Sequence, residues 1–135
     1  MGIANENLTK EARKRFLTHV IDIDAANVQA TAFVDNDCAT KVNKITFVYS
    51  VASDTGTVPE DIQVGTAAAA TLYFAGPPVV SKALGTVVAQ TVASTALLPA
   101  GTALVINKSA ATGGTNTGEV TVVVELETID RIRSL

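Results

Sequence analysis

The sequence predicts an all-β chain, an antiparallel β-sandwich preceded by a short N-terminal arm or helix. Three observations predict it. From Leu17 onward apolar residues recur at every second position in short runs, the period of strands that turn one face to a core. Between the runs stand clusters such as Asp35-Asn36-Asp37, Gly76-Pro77-Pro78 and Pro99-Ala100-Gly101, residues whose backbone preferences suit turns. Neither a strand-helix-strand pattern nor a long internal repeat is present.

Taken in order, residues 1–8 show no sustained period and read as an extended or mobile arm. Thr9 to Phe16 is the one stretch that predicts a helix: Asn7 or Thr9 caps it, Glu11 suits its first turn, and Lys14 and Arg15 suit its last. Two turns do not persist alone in water, so this segment lies either over its own domain or against a neighbouring subunit. Next, Leu17, His19, Ile21 and Ile23 alternate with Thr18, Val20, Asp22 and Asp24. A second run covers Asn27 to Val34, and the Asp35-Asn36-Asp37 turn closes it. Val42 to Val51 is a clear strand, with Ile45, Phe47, Tyr49 and Val51 on one face.

Shorter strands are predicted at Ile62-Gln63-Val64 and Ala70 to Phe74. The four alanines Ala67 to Ala70 between them suit a helix by propensity, but their threonine, glycine and aromatic neighbours favour extended chain or a short turn. Gly85 to Ala93 continues the β pattern. The stretch from Leu98 to Leu126 then predicts a wide hairpin, in which Leu104 and Ile106 meet the Val120, Val122, Val124 and Leu126 face across a ladder. On the opposite face Glu119, Thr121, Glu125 and Glu127 are interrupted only by Val123. Eight or so short strands with turns between them indicate a sandwich of jelly-roll type.

Composition narrows the function. A chain of 135 residues suits a single domain with its own core. Charged residues make up 17%, below the usual quarter or so, so the surface is rich in small uncharged side chains and suited to packing against partners. Cys38 is the one cysteine, which excludes an internal disulfide and fits a reducing compartment. Residues 1–15 carry Lys10, Arg13, Lys14 and Arg15 against Glu6 and Glu11, a balance of +2 within a net charge of −3, leaving −5 on the remainder. Such a balance is too weakly basic for nucleic acid. Neither a signal peptide nor a membrane-spanning run is evident.

The chain also lacks the constellations that carry chemistry. With His19 as the single histidine, sites built on several histidines are excluded, and His19 itself reads as a structural residue, packed or hydrogen-bonded. Asp22 with Asp24, and Asp35 with Asp37, do not follow the spacing of a calcium loop. Gly113 to Gly118 lacks the Gly-Lys-Ser/Thr of a phosphate loop and leads into a strand. No catalytic, cofactor or metal residue is therefore assigned, and an enzyme is not expected.

The element order, with its N-terminal arm, Thr/Ala/Gly-rich turns and the Leu98-Pro99-Ala100-Gly101-Thr102 entry into a Gly-rich tip and a Val/Glu terminal strand, resembles the small β-sandwich decoration, or head cement, proteins of tailed bacteriophages. The resemblance spans about Phe16 to Glu127. It implies a structural virion protein, often a homotrimer at local threefold positions, made in the host cytoplasm and bound to the major capsid protein on the capsid outer surface. By that likeness residues 1–15 are the arm, residues 16–135 the sandwich domain, and Lys10, Arg13, Lys14 and Arg15 the capsid contacts. A virion fibre or tail module, or a carbohydrate-binding sandwich, is the alternative.

Overall fold

The computed structural model describes residues 13–23, 29–54, 61–76, 82–108 and 117–129. Among these residues the chain forms strands and no helix. The strands are β1 (Arg13–Asp22), β2 (Gln29–Phe33), β3 (Ala39–Asp54), β4 (Ile62–Gly65), β5 (Phe74–Gly76), β6 (Val87–Gln90), β7 (Leu104–Lys108) and β8 (Thr117–Ile129). One sheet has the order β1-β8-β3-β6 and the other β2-β7-β4-β5, and each pairing is antiparallel. Only β4 and β5 are consecutive strands sharing a ladder; the other connections cross between sheets. Two sheets interleaved in this way make a jelly roll, as the strand count predicts.

The alternation read from the sequence fills the core. Ile21 and Ile23 from the first strand and its end, Ile45, Phe47 and Tyr49 from β3, and Val120, Val122, Val124 and Leu126 from β8 meet Ile62 and Val64 from β4 and Leu104 and Ile106 from β7. Burying each such side chain contributes about 1.5–3 kcal/mol relative to leaving it in water. Phe47 reaches across the gap to the β5 residue Phe74, edge to face with centroids 5.4 Å apart. The Tyr73 hydroxyl donates to the Ala96 carbonyl at 2.9 Å, tying the segment before β7 to the core.

The structure corrects several expectations. Arg13 to Phe16 are not the end of a helix: they open β1, paired with Thr128 through Glu125 of β8, so a boundary between arm and sandwich at residue 15 falls inside a strand. Residues 1–12 lie outside the described residues. β7 and β8 do not form a hairpin, because they belong to different sheets, and Leu104 and Ile106 meet the valines of β8 through the core instead of along a ladder. Val51 is 48% exposed, since register irregularities on either side of it break the alternation that buries Tyr49. Ala70 to Tyr73 are turn and bend rather than strand, and the strand begins at Phe74.

Two turns of one design lead into β6 and approach β7. Thr86 N–H donates to Ala83 O and Thr102 N–H donates to Pro99 O, each at 3.1 Å, with Gly85 at φ 85° and Gly101 at φ 82° in the third position. That position of a type II turn requires positive φ, which glycine adopts without penalty. The Asp35 turn is also as predicted. Its Oδ1 accepts the N–H of Asp37 at 2.9 Å and of Cys38 at 3.0 Å, and Cys38 is half-buried.

Candidate functional site

The feature that stands out is the outer face of the β1-β8-β3-β6 sheet. The residues opposite to the core-facing set build it in rows, read from the pairing register. Lys14, Glu127 and Lys41 form one end; Phe16, Glu125 and Lys44 follow; then Thr18, Val123, Thr46 and Ala89; then Val20, Thr121, Val48 and Val87; and Asp22, Glu119 and Val51 form the far end. The two middle rows contain no charge. Phe16 is 65% exposed, Val20 51% and Val87 63%, and Leu84 projects from the turn that leads into β6.

A neutral, partly apolar centre between charged ends has the anatomy of a protein–protein contact surface. Two of its carboxylates are held in place. Asn43 Nδ2 donates to Glu127 Oε1 at 2.9 Å, and Ser50 Oγ donates to Glu119 Oε1 at 2.7 Å. Lys14, Lys41 and Lys44 surround Glu125 and Glu127 at one end, whereas Asp22 and Glu119 make the other end acidic. The face therefore carries opposite charge at its two ends.

The predicted contact residues are only partly brought together. Lys14 lies on this outer face. Arg15, its neighbour, has the opposite strand parity, and its Nη2 stands 3.9 Å from Asp35 Oδ2, with its guanidinium carbon 6.0 Å from the centre of the Phe33 ring. Arg15 thus fastens β1 to the end of β2 in the other sheet. Arg13 sits in register opposite Thr128, and Lys10 lies outside the described residues, as do Asp24 and residues 113–116 of the Gly-rich loop. Phe16, Val20, Val48 and Val87 escaped the sequence reading; the signal for them was Val20 and Val123 standing on otherwise polar faces.

His19 occupies the inward side of β1, where its Nε2 is buried without a hydrogen-bond partner among the described residues. Burial pushes its pKa below the usual 6.5. The unfolded chain then binds the proton more readily, so stability is full above about pH 6.5 and declines as pH falls from there toward the folded-state pKa. We expect His19→Gln to flatten the dependence of Tm on pH between neutrality and mild acid. Parallel curves for variant and wild type would contradict that assignment. Among the described residues no group of three or more His, Cys, Asp or Glu side chains is placed to hold a metal.

The fold so described is a jelly-roll β-sandwich of two four-stranded sheets. No family model matches the chain, and no curated protein matches its sequence. Among solved structures it is similar to a chain of the cyanophage Pam1 capsid asymmetric unit, with a TM-score of 0.48 and 18% identity over 87% of this chain and 84% of that one.

Proposed function

We propose that this protein is a capsid decoration protein of a tailed bacteriophage, a non-enzymatic virion component that binds the outer surface of the major capsid protein lattice and stabilises the head. The observation that carries the reading is the outer face of the β1-β8-β3-β6 sheet, which no other strand among the described residues covers, with its uncharged middle rows and exposed Phe16, Val20 and Val87. The sandwich is held by its own core, so this apolar surface is left over for a partner. The resemblance of the element order to head cement proteins supplies the kind of partner. Three copies around a local threefold would engage several capsid subunits at once, and linked contacts of that kind add avidity without any one of them being strong. Cementing needs no reaction.

In this reading the basic residues Lys10, Arg13, Lys14 and Arg15 serve as capsid contacts, with Arg15 also anchored on Asp35. The test is attachment to capsid shells assembled without the protein, comparing the whole chain with a chain that begins at Arg13. Truncation there spares β1, which truncation after residue 15 would not. Attachment by the whole chain, weakened but not abolished in the shortened one at unchanged Tm, is the expected result, because the outer face and Arg13, Lys14 and Arg15 remain. Equal attachment of both would remove the anchoring role from the segment before β1, and failure of both would overturn the decoration role.

A further inference from the structure

The β1-β8-β3-β6 sheet ends at β1, whose one ladder among the described residues is with β8. A ten-residue strand with one open edge is a template for another strand, and proteins that keep such edges single break or blunt them. β1 has neither proline nor a register irregularity along its pairing with β8. Its charges are instead segregated, with Arg13, Lys14 and Arg15 at the start and Asp22 at the end.

We propose that β1 pairs with β1 of a second copy of this chain, antiparallel and centred on Thr18, so that two sandwiches share one continuous sheet. The outward residues of the strand are self-complementary in that register. On the outer face Lys14 stands opposite Asp22 of the other copy, Phe16 opposite Val20, and Thr18 opposite Thr18; the two-fold axis repeats the first two pairs. Directly opposed residues of an antiparallel pair interact most strongly, favourably for opposite charges and for aromatic with β-branched side chains. The pairing thus gives Phe16 and Val20, the exposed apolar residues of β1, an apolar neighbour each.

Other registers fail on the same residues. Parallel pairing in register sets Lys14 against Lys14, a repulsive arrangement. A shift of one residue opposes outward to inward side chains, because the side-chain period is two. A shift of two residues preserves the faces but separates Lys14 from Asp22. The contact uses a sheet edge, is isologous as a two-fold requires, and depends neither on the capsid reading nor on a threefold arrangement formed elsewhere on the surface.

Disulfide trapping of the full chain in solution tests it, with Cys38→Ser removing the native thiol. Thr18→Cys places two thiols on directly opposed residues, about 4.5–5.5 Å apart at Cα, within disulfide reach. It is expected to give a covalent dimer under mild oxidation. Val20→Cys alone sets its thiols about 13 Å apart along the strands and is expected to stay uncrosslinked, yet to crosslink when mixed with Phe16→Cys. In the Thr18→Cys background, Lys14→Asp and Asp22→Lys are each expected to lose the dimer, and an equimolar mixture of the two to recover it. Folded Thr18→Cys protein that forms no dimer, or Val20→Cys crosslinking as readily as Thr18→Cys, would overturn the proposal. Failure of the charge-reversed mixture to recover the dimer would overturn the register.

Discussion

Replacing Gly65 by alanine is expected to destabilise the fold by about 3 kcal/mol or more, at the upper end of what overpacking costs. A Cβ at this position would lie 2.2 Å from the Ala69 carbonyl oxygen and 2.5 Å from that of Ala70. Both obstacles are backbone, so no rotamer change relieves them. The loop concerned leaves β4 after Gly65 and returns at Tyr73, whose N–H donates to Val64 O at 2.9 Å; inside it Thr66 and Ala69 exchange backbone hydrogen bonds at 2.9 and 3.2 Å. Opening that loop would loosen Tyr73 and with it the Ala96 contact. Gly101→Ala provides the comparison, because nothing lies within 4 Å of a Cβ there and only the positive φ is penalised, by roughly 1–2 kcal/mol. Denaturant unfolding of the two variants decides the matter, and a Gly65→Ala loss below that of Gly101→Ala would refute the close-approach argument.

The second large effect is expected at Phe47. Its side chain is fully buried, lies in register with Val122 and Val88, and bridges the sheets through Phe74. Phe47→Ala removes that burial and leaves a cavity that rigid strands cannot close, for a loss of about 3–5 kcal/mol. At about 3–4 °C per kcal/mol for a domain of this size, Tm should fall by roughly 10–20 °C. Phe16→Ala, the same substitution on the outer face, should stay within about 0.5 kcal/mol. Comparable losses in the two variants would mean that the inward and outward faces of this sheet are wrongly assigned.

Much of this architecture was legible because burial imposes a period. The buried positions of β1 from Leu17 onward, of β3 as far as Tyr49 and of β8 could be read directly, since Ile21, Phe47 and Val122 each sit two positions from the next buried neighbour. The same period cannot say which sheet a strand joins. Leu104 and Ile106 face the valines of β8 whether the contact is a ladder or a core, and a long loop permits both, so the predicted hairpin and the observed sandwich share one pattern. β1 was misread at its start for a related reason: basic residues that suit the last turn of a helix equally suit the exposed positions of a strand. Around Gly65 the decisive term was the approach of Ala69 and Ala70 to the backbone, a tertiary contact without local signature.

The candidate surface was less legible than the core. Outward positions of a strand obey no compositional rule strict enough to flag Phe16, Val20 or Val87, and only the assembled sheet shows that Val123, Thr46 and Val48 join Val20 and Val87 in one uncharged band beside Phe16. Arg13, Lys14 and Arg15 read as one basic cluster along the chain. The strand separates them, with Lys14 on the outer face and Arg15 turned to Asp35.

The decoration role is tested most directly by titrating the purified protein onto capsid shells assembled without it and measuring, after sedimentation, how much is bound per copy of the major capsid protein. The account predicts saturation at a fixed ratio set by the lattice, together with a gain in the temperature at which the shells come apart. Absence of binding, or uptake that rises with concentration without saturating, would contradict it.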